Sequence, residues 1–131
     1  RFDTVHNYVA KLPDGTPLLR KGAVSARQGE RLLIPINMKE GMLLCEGKGN
    51  PDWNFSAPHG AGRVYRRDQV KEHFTVSDYK REMKGIYSTC ISRDTLDEAP
   101  FAYRNAEEIM KQMEETVRIR KMLRPVYNFK A

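Results

Sequence analysis

The first apolar positions, Phe2, Val5, Tyr8 and Val9, are β-formers separated by polar residues, and they predict a strand over Phe2–Lys11 with His6 near its middle. Pro13-Asp14-Gly15 follows as a turn, so Phe2–Leu19 reads as a hairpin. Two short, almost continuously apolar runs come next, Arg31–Pro35 and Met42–Cys45, which suit strands buried on both faces and joined by the loop Asn37–Gly41. Gly47–Asp52 is too rich in breakers for regular structure, yet it is an ordered loop, because Trp53 and Phe55 need a surface to pack against. From Val64 to Phe74 the spacing turns helical, with Val70 and Phe74 on one face. Thr75–Asp78 opens a second short helix that Gly85 closes, and Ile86–Ile91 reads as a strand. Leu96–Tyr103 reads as extended and interrupted by Pro100. Asn105 with Glu108 caps the longest helix, Ala106–Met122, striped by Ile109, Met110, Met113, Val117 and Met122. Pro125 stops it, and Val126–Ala131 ends the chain as a strand. The pattern predicts an α+β fold, a mixed sheet with packed helices, without internal repeats.

Composition changes this picture only modestly. A chain of 131 residues, 40% hydrophobic, is enough for one domain with a modest core. Net charge is +6, which favours polyanionic partners, nucleic acid or nucleotides, although charge alone decides little. Cys45 and Cys90 lie far apart without a CxxC pairing, so buried, reduced thiols and a cytoplasmic compartment are expected. No apolar run approaches the roughly 18 residues of a membrane span. A secretory signal core is also missing, and a soluble protein is the expectation. The chain begins at Arg1 rather than Met, which reads as a processed product or a piece of a longer protein.

The chemistry concentrates in Asn50–Arg63, where His59 directly precedes Gly60-Ala61-Gly62 and Arg63, with Arg66 and Arg67 close behind. An imidazole beside backbone amides that small residues leave uncovered makes a phosphate cradle, with His59 as nucleophile, general base or metal ligand at its edge. If the following helix starts just after Gly62, its N-terminus also points at the turn. Lys21, Arg63 and Arg67 could supply positive charge for a transferring phosphoryl group. Arg20 and Lys21, ahead of Gly22, divide evenly between a solvated strand edge and a phosphate contact. His73, on a charged helix, reads as solvated or capping. His6, alone in its strand, reads on residue type as structural. Neither the P-loop nor the dinucleotide fingerprint occurs.

Leu19-Arg20-Lys21-Gly22-Ala23, Leu33-Ile34-Pro35, Gly47-Lys48-Gly49-Asn50-Pro51-Asp52-Trp53-Asn54, Ser56–Arg63 and Asp97–Tyr103 together resemble the C-terminal part of the RtcB family of RNA ligases. The resemblance covers essentially the whole chain, down to its closing Tyr127-Asn128-Phe129-Lys130-Ala131, and His-Gly-Ala-Gly-Arg with Arg-Lys-Gly-Ala is its most specific part. It implies an enzyme that uses GTP and Mn2+ to join RNA 3′-phosphate or 2′,3′-cyclic phosphate ends to 5′-hydroxyl ends, as in tRNA splicing or RNA repair. His59 matches the histidine that becomes a covalent histidine–guanylate, and His6 a metal-binding histidine. Lys21 and Arg67 fall where family members contact phosphate or sulfate, Gly60, Ala61 and Gly62 would hug the nucleotide, and Tyr103 and Lys130 match guanosine contacts. RNA is the implied partner, with an archease-like activating protein expected by the same resemblance.

The match has departures. Ile36 stands where relatives commonly have glycine, and Arg66 replaces a usual serine. The family's remaining metal ligands, a cysteine and two histidines, precede the matched region, and neither Cys45 nor Cys90 matches that cysteine. The chain is therefore expected to be the C-terminal segment of a longer catalytic domain and inactive by itself. Two other readings stay open: a nucleotide- or RNA-binding module without chemistry, and a repair or release factor acting on other damaged RNA ends.

Overall fold

The computed structural model describes residues 2–129. The hairpin forms as predicted, although its first strand starts at His6 instead of Phe2: β1 (His6–Lys11) pairs antiparallel with β2 (Pro17–Ser25). The turn is held by Asp14, whose Oδ1 accepts from the Thr16 N–H at 2.9 Å, and Gly15 takes φ +86°. β3 (Arg31–Asn37) and β4 (Gly41–Gly47) pair antiparallel, as their apolar runs predict. They are buried on one face only: Leu32, Ile34 and Ile36 point inward, whereas Arg31 and Pro35 are exposed. β5 (Ser56–Pro58) follows a 3-10 turn at Pro51–Trp53 and lines up beside β2.

The helices are shorter than the spacing predicts. α1 spans Arg67–His73, three residues beyond the Val64 start that the spacing predicts. Its would-be first turn is held differently, because Val64 N–H donates to the Ala102 carbonyl at 2.8 Å and Arg63 bridges Tyr103. The Gly62 turn is thus not a helix N-terminus. α2 (Val76–Glu82) opens with the predicted capping box, Thr75 Oγ1 accepting from Asp78 N–H and Asp78 Oδ2 accepting from Thr75 N–H. The expected strand at Ile86–Ile91 is reduced to β6 (Tyr87–Ser88). Leu96–Tyr103 is not extended: it winds into 3-10 turns at Leu96–Glu98 and Pro100–Ala102, the second opened by its proline.

The largest difference is at the C-terminal helix. α3 spans only Ala106–Gln112, and Val117–Leu123 is a strand, β7, paired antiparallel with the free edge of β4. The physical reason lies in the residues: Val117 and Ile119 alternate with Arg118 and Arg120, a period of two, and an open strand edge offers hydrogen bonds that a frayed helix end lacks. Arg120 also pairs across the strands with Glu46 at 2.6 Å. β8 (Tyr127–Asn128) pairs parallel with β6.

The result is α+β as expected: three-stranded sheets β1-β2-β5 and β3-β4-β7, with helices packed alongside. One core, including Val24, Leu32, Ile34, Leu43, Cys45, Ile109 and Met113, joins the sheets to α3. A second, of Val70, Tyr79, Met83, Leu96, Ala99 and Ala102, ties α1 and α2 to the 3-10 turns. Tyr103 packs against both. Cys45 and Cys90 are free and buried, and burial pushes the Cys45 thiol up to about 11. No helix among the described residues is long and apolar enough to cross a membrane.

Candidate active site

Strand register brings His6 and His59 together. β5 pairs Ala23 with Pro58 and Val24 with Ala57, so the chain leaves the sheet at His59, while β1 sets His6 opposite Val24 from the other side of β2. Their ring centroids are 4.9 Å apart, with the planes tilted by 37°. Gly22 serves by its conformation: it takes φ +65°, while a Cβ there would meet His59 Nδ1 at an ordinary 3.7 Å. Its carbonyl accepts from the His59 N–H at 3.3 Å, and its own N–H donates to Asn7 Oδ1 at 2.7 Å. Asn7 holds φ 59° at a slip in the β1–β2 register, a conformation asparagine tolerates better than most residues. Arg20 locks the three strands. Its guanidinium, 2% exposed, donates to Ser56 Oγ at 3.0 Å, Tyr8 Oη at 3.1 Å and the Phe55 carbonyl at 3.3 Å. It is neither a solvated edge nor a phosphate contact.

The opposite wall is built from charge pairs. Arg63 donates to Glu98 Oε1 at 2.8 Å, to Tyr103 Oη at 3.0 Å and to the Asp97 carbonyl at 2.5 Å, and its guanidinium lies 4.8 Å from the Tyr103 ring centroid. Tyr103 Oη in turn donates to Glu98 Oε2 at 2.5 Å. Burial, then the bond to Glu98, push the Tyr103 phenol up to about 12. Arg67 stands 3.7 Å from Asp97 and 3.8 Å from Glu98, with most of its side chain in solvent. Arg63 is therefore committed to internal carboxylates, whereas Arg67 keeps most of its donors available.

Between these walls opens a cleft of about 920 Å³. His59, Gly60, Ala61, Gly62, Arg63, Arg67 and Tyr103, all marked by the sequence, line it. Ile36, Glu98, Tyr127 and Asn128 line it too. A Cβ at Gly60 would fit tightly, 3.3 Å from the Pro35 carbonyl, whereas Gly62 has open space and supplies φ +70°. Lys21 is not brought into this cleft; it lines a separate cavity of about 400 Å³ beside Trp53. Lys130 lies outside the described residues. Arg66 turns to Asp68, pairing at 2.6 Å in solvent. His73 faces Tyr65, ring centroids 5.7 Å apart, with no link to His59.

Sequence reasoning missed Asn7 and Arg20 as the supports of His59, and Asp97 and Glu98 as the partners of the arginines. An asparagine beside a candidate ligand was a usable signal for the first. Adjacent carboxylates within an already conspicuous Asp97–Tyr103 stretch were one for the second. As a metal site the donor set is partial. His6 offers an imidazole suited to a divalent ion, but no group of three or more histidine, cysteine, aspartate or glutamate side chains gathers among the described residues.

A sequence model of the family described as tRNA-splicing ligase RtcB matches residues 1–131. The chain is 35% identical over 124 residues to the RNA-splicing ligase RtcB of Escherichia coli strain K12, covering 92% of this chain and 30% of that protein. It is 33% identical over 102 residues to the tRNA-splicing ligase RtcB of Aeropyrum pernix, covering 74% and 21%. With the RNA-splicing ligase RtcB of Mycobacterium tuberculosis it shares 32% over 105 residues, covering 77% and 24%. The chain thus spans less than a third of the length of these relatives.

Proposed function

The chain belongs to the RtcB family, and from that premise we propose that it carries the guanylate-accepting half of a GTP- and manganese-dependent RNA ligase active site. One observation carries the reading: a single imidazole, His59, is presented at the start of a Gly60-Ala61-Gly62 turn on the rim of a nucleotide-sized cleft. In this reading a ring nitrogen of His59 attacks the α-phosphorus of GTP, forming an N–P bond as pyrophosphate leaves. An oxygen of an RNA 3′-phosphate then takes the guanylate, breaking that bond and restoring the imidazole. The 5′-hydroxyl of the second RNA end finally attacks the activated 3′-phosphate, and GMP departs.

The chain's own groups divide the work. Gly22 and Asn7 hold the backbone at His59, the glycine turn lets phosphate oxygens approach backbone N–H groups, and the exposed donors of Arg67 oppose charge developing on the phosphoryl group. Tyr103 and the Arg63–Glu98 pair give the far wall a fixed shape for the guanosine. Manganese, when bound, would supply positive charge against the phosphates, and His6 is the residue of this chain that would hold it.

The partial donor set favours a second reading for this chain taken alone, a nucleotide- or RNA-binding module without chemistry. Incubation of the full-length parent with GTP radiolabelled at the α-phosphate and manganese tests both. Label should enter the parent and be lost in its His59→Ala variant. Undiminished label in that variant overturns the nucleophile assignment, and self-labelling of the 131-residue chain rules out the second reading.

A further inference from the structure

The cavity on which Lys21 opens is not part of the guanylate cleft, yet the two meet at His59. Gly22 lines it and also underlies the His59 imidazole, and Pro58, the residue before the histidine, forms another edge. At about 400 Å³ it is large enough for a nucleobase with its sugar. Its aromatic element is Trp53, which is 52% exposed and makes no ring contact among the described residues. The indole is nonetheless held: its Nε1 donates to Glu115 Oε2 at 2.8 Å, and the turn beneath it is fixed by Asn50, which accepts from Asp52 N–H at 3.0 Å and donates to the Glu115 carbonyl at 3.2 Å. Keeping an immobilised indole in water sacrifices burial, and an aromatic platform for a base recovers it on binding. Lys21 adds an exposed cation with no ion-pair partner among the described residues, and the Asn54 and Gln112 amides offer donors and acceptors to a base edge.

We propose that this cavity seats the terminal nucleotide of the RNA strand whose 3′-phosphate reacts at His59, its base stacked on Trp53 and its backbone charge facing Lys21. The inference rests on the guanylate-transfer reading, which brings that 3′-phosphate to the imidazole. Trp53 and His59 lie on one segment clamped by Arg20, so the platform would set the distance between the strand end and the nucleophile.

The test uses the full-length parent with GTP and manganese, a single-stranded oligoribonucleotide ending in a 3′-phosphate, the same strand with an abasic 3′-terminal nucleotide, and a second strand with a 5′-hydroxyl as acceptor. Trp53→Ala should lower kcat/KM for ligation on the order of tenfold to a hundredfold and leave labelling by GTP unchanged, with Trp53→Phe restoring most of the loss. The abasic strand should be ligated poorly by the wild type, and Trp53→Ala should add nothing to that deficit. Equal ligation by wild type and Trp53→Ala overturns the proposal. So does a fall in thermal stability with no discrimination between intact and abasic strands, which would mean that another protein segment fills the cavity. If Trp53→Ala does not fold, Trp53→Phe and the abasic strand decide between the same outcomes. Absence of label in the wild type would instead strike the underlying guanylate-transfer reading.

Discussion

The two walls of the cleft are made by opposite means. On the His59 side the backbone does the work: a positive-φ glycine, a positive-φ asparagine and strand register set His59 on the rim, its ring 4.9 Å from that of His6, which does not itself line the cleft, with no carboxylate bonded to either ring among the described residues. On the Arg63 side the side chains do it, with two arginines, two carboxylates and a tyrosine closing on one another. A wall built from backbone leaves its reactive groups unspent. A wall built from charge pairs spends most of them on shape. The first should thus be fragile in activity and the second in stability.

The largest effect expected from this contrast is on stability. Asp97, 8% exposed, lies 3.6 Å from Arg63 and 3.7 Å from Arg67, so Asp97→Ala leaves the half-buried Arg63 with one carboxylate fewer. Removing one partner of such a pair should cost about 2 to 3 kcal/mol, read as a lower denaturant midpoint of the full-length parent, while labelling of folded protein by GTP changes less. Labelling lost in proportion to much more than the unfolded fraction would break the comparison.

Gly22→Ala tests the other wall. The added methyl meets His59 at an ordinary 3.7 Å, so the cost is conformational, about 1 kcal/mol for a non-glycine residue at φ +65°. Relaxing that strain shifts the Asn7 bond and the floor beneath the imidazole, and the rate of labelling should fall at least tenfold, more than the stability loss explains. An unchanged rate would show that the ring is held by something other than Gly22.

These walls were unequally legible in the sequence. His59 and its glycine turn stood out because few structural reasons place a histidine between Pro58 and Gly60. Arg63 and Arg67 were found too, but as phosphate contacts, since pairing with Asp97 and Glu98 arises only when 3-10 turns bring Leu96–Tyr103 back against the Gly62 turn. The fold class was readable from local pattern, and so were the hairpin, the β3–β4 pair, the Thr75 capping box and the Asn105 cap. What failed was decided at long range. Val117–Leu123 carries both the end of the helical apolar stripe, Val117 and Met122, and a two-residue alternation, and the unfilled edge of β4 selects the strand. Arg20 and Lys21 are neighbours of like charge, yet strand alternation buries one and exposes the other.

A smaller effect is expected at Tyr103. Tyr103→Phe removes the donor to Glu98 and an acceptor for Arg63, worth roughly 1 kcal/mol. The phenol also makes this wall sensitive to alkali. Its value is raised in the folded protein from 10.0 to about 12, so its contribution is complete below pH 10 and lost as pH rises towards 12. Tyr79 is raised in the same way, so the fall should be shallower in the variant without vanishing. Denaturant midpoints between pH 9 and pH 12 measure it, and an identical decline in both proteins would place the sensitivity elsewhere.

The smallest effect belongs to Arg66, the position where the family resemblance leads to the expectation of a serine. Its guanidinium pairs with Asp68 two residues away, with side chains 77% and 59% exposed, and neither lines the cleft. Such a pair is screened by solvent and held at the expense of side-chain freedom. Its backbone N–H, which donates to Gln69 Oε1 at 3.1 Å, is unaffected by the side chain, and serine is a better N-cap than arginine for α1. Arg66→Ser should therefore shift stability by no more than about 0.5 kcal/mol, with any gain coming from the cap, and should leave labelling by GTP within twofold of the wild type. A larger loss of labelling would mean that Arg66 swings to the phosphate when nucleotide binds. The charge-paired wall would then hold a cation in reserve, and the division between a wall for shape and a wall for chemistry would have to be redrawn at α1.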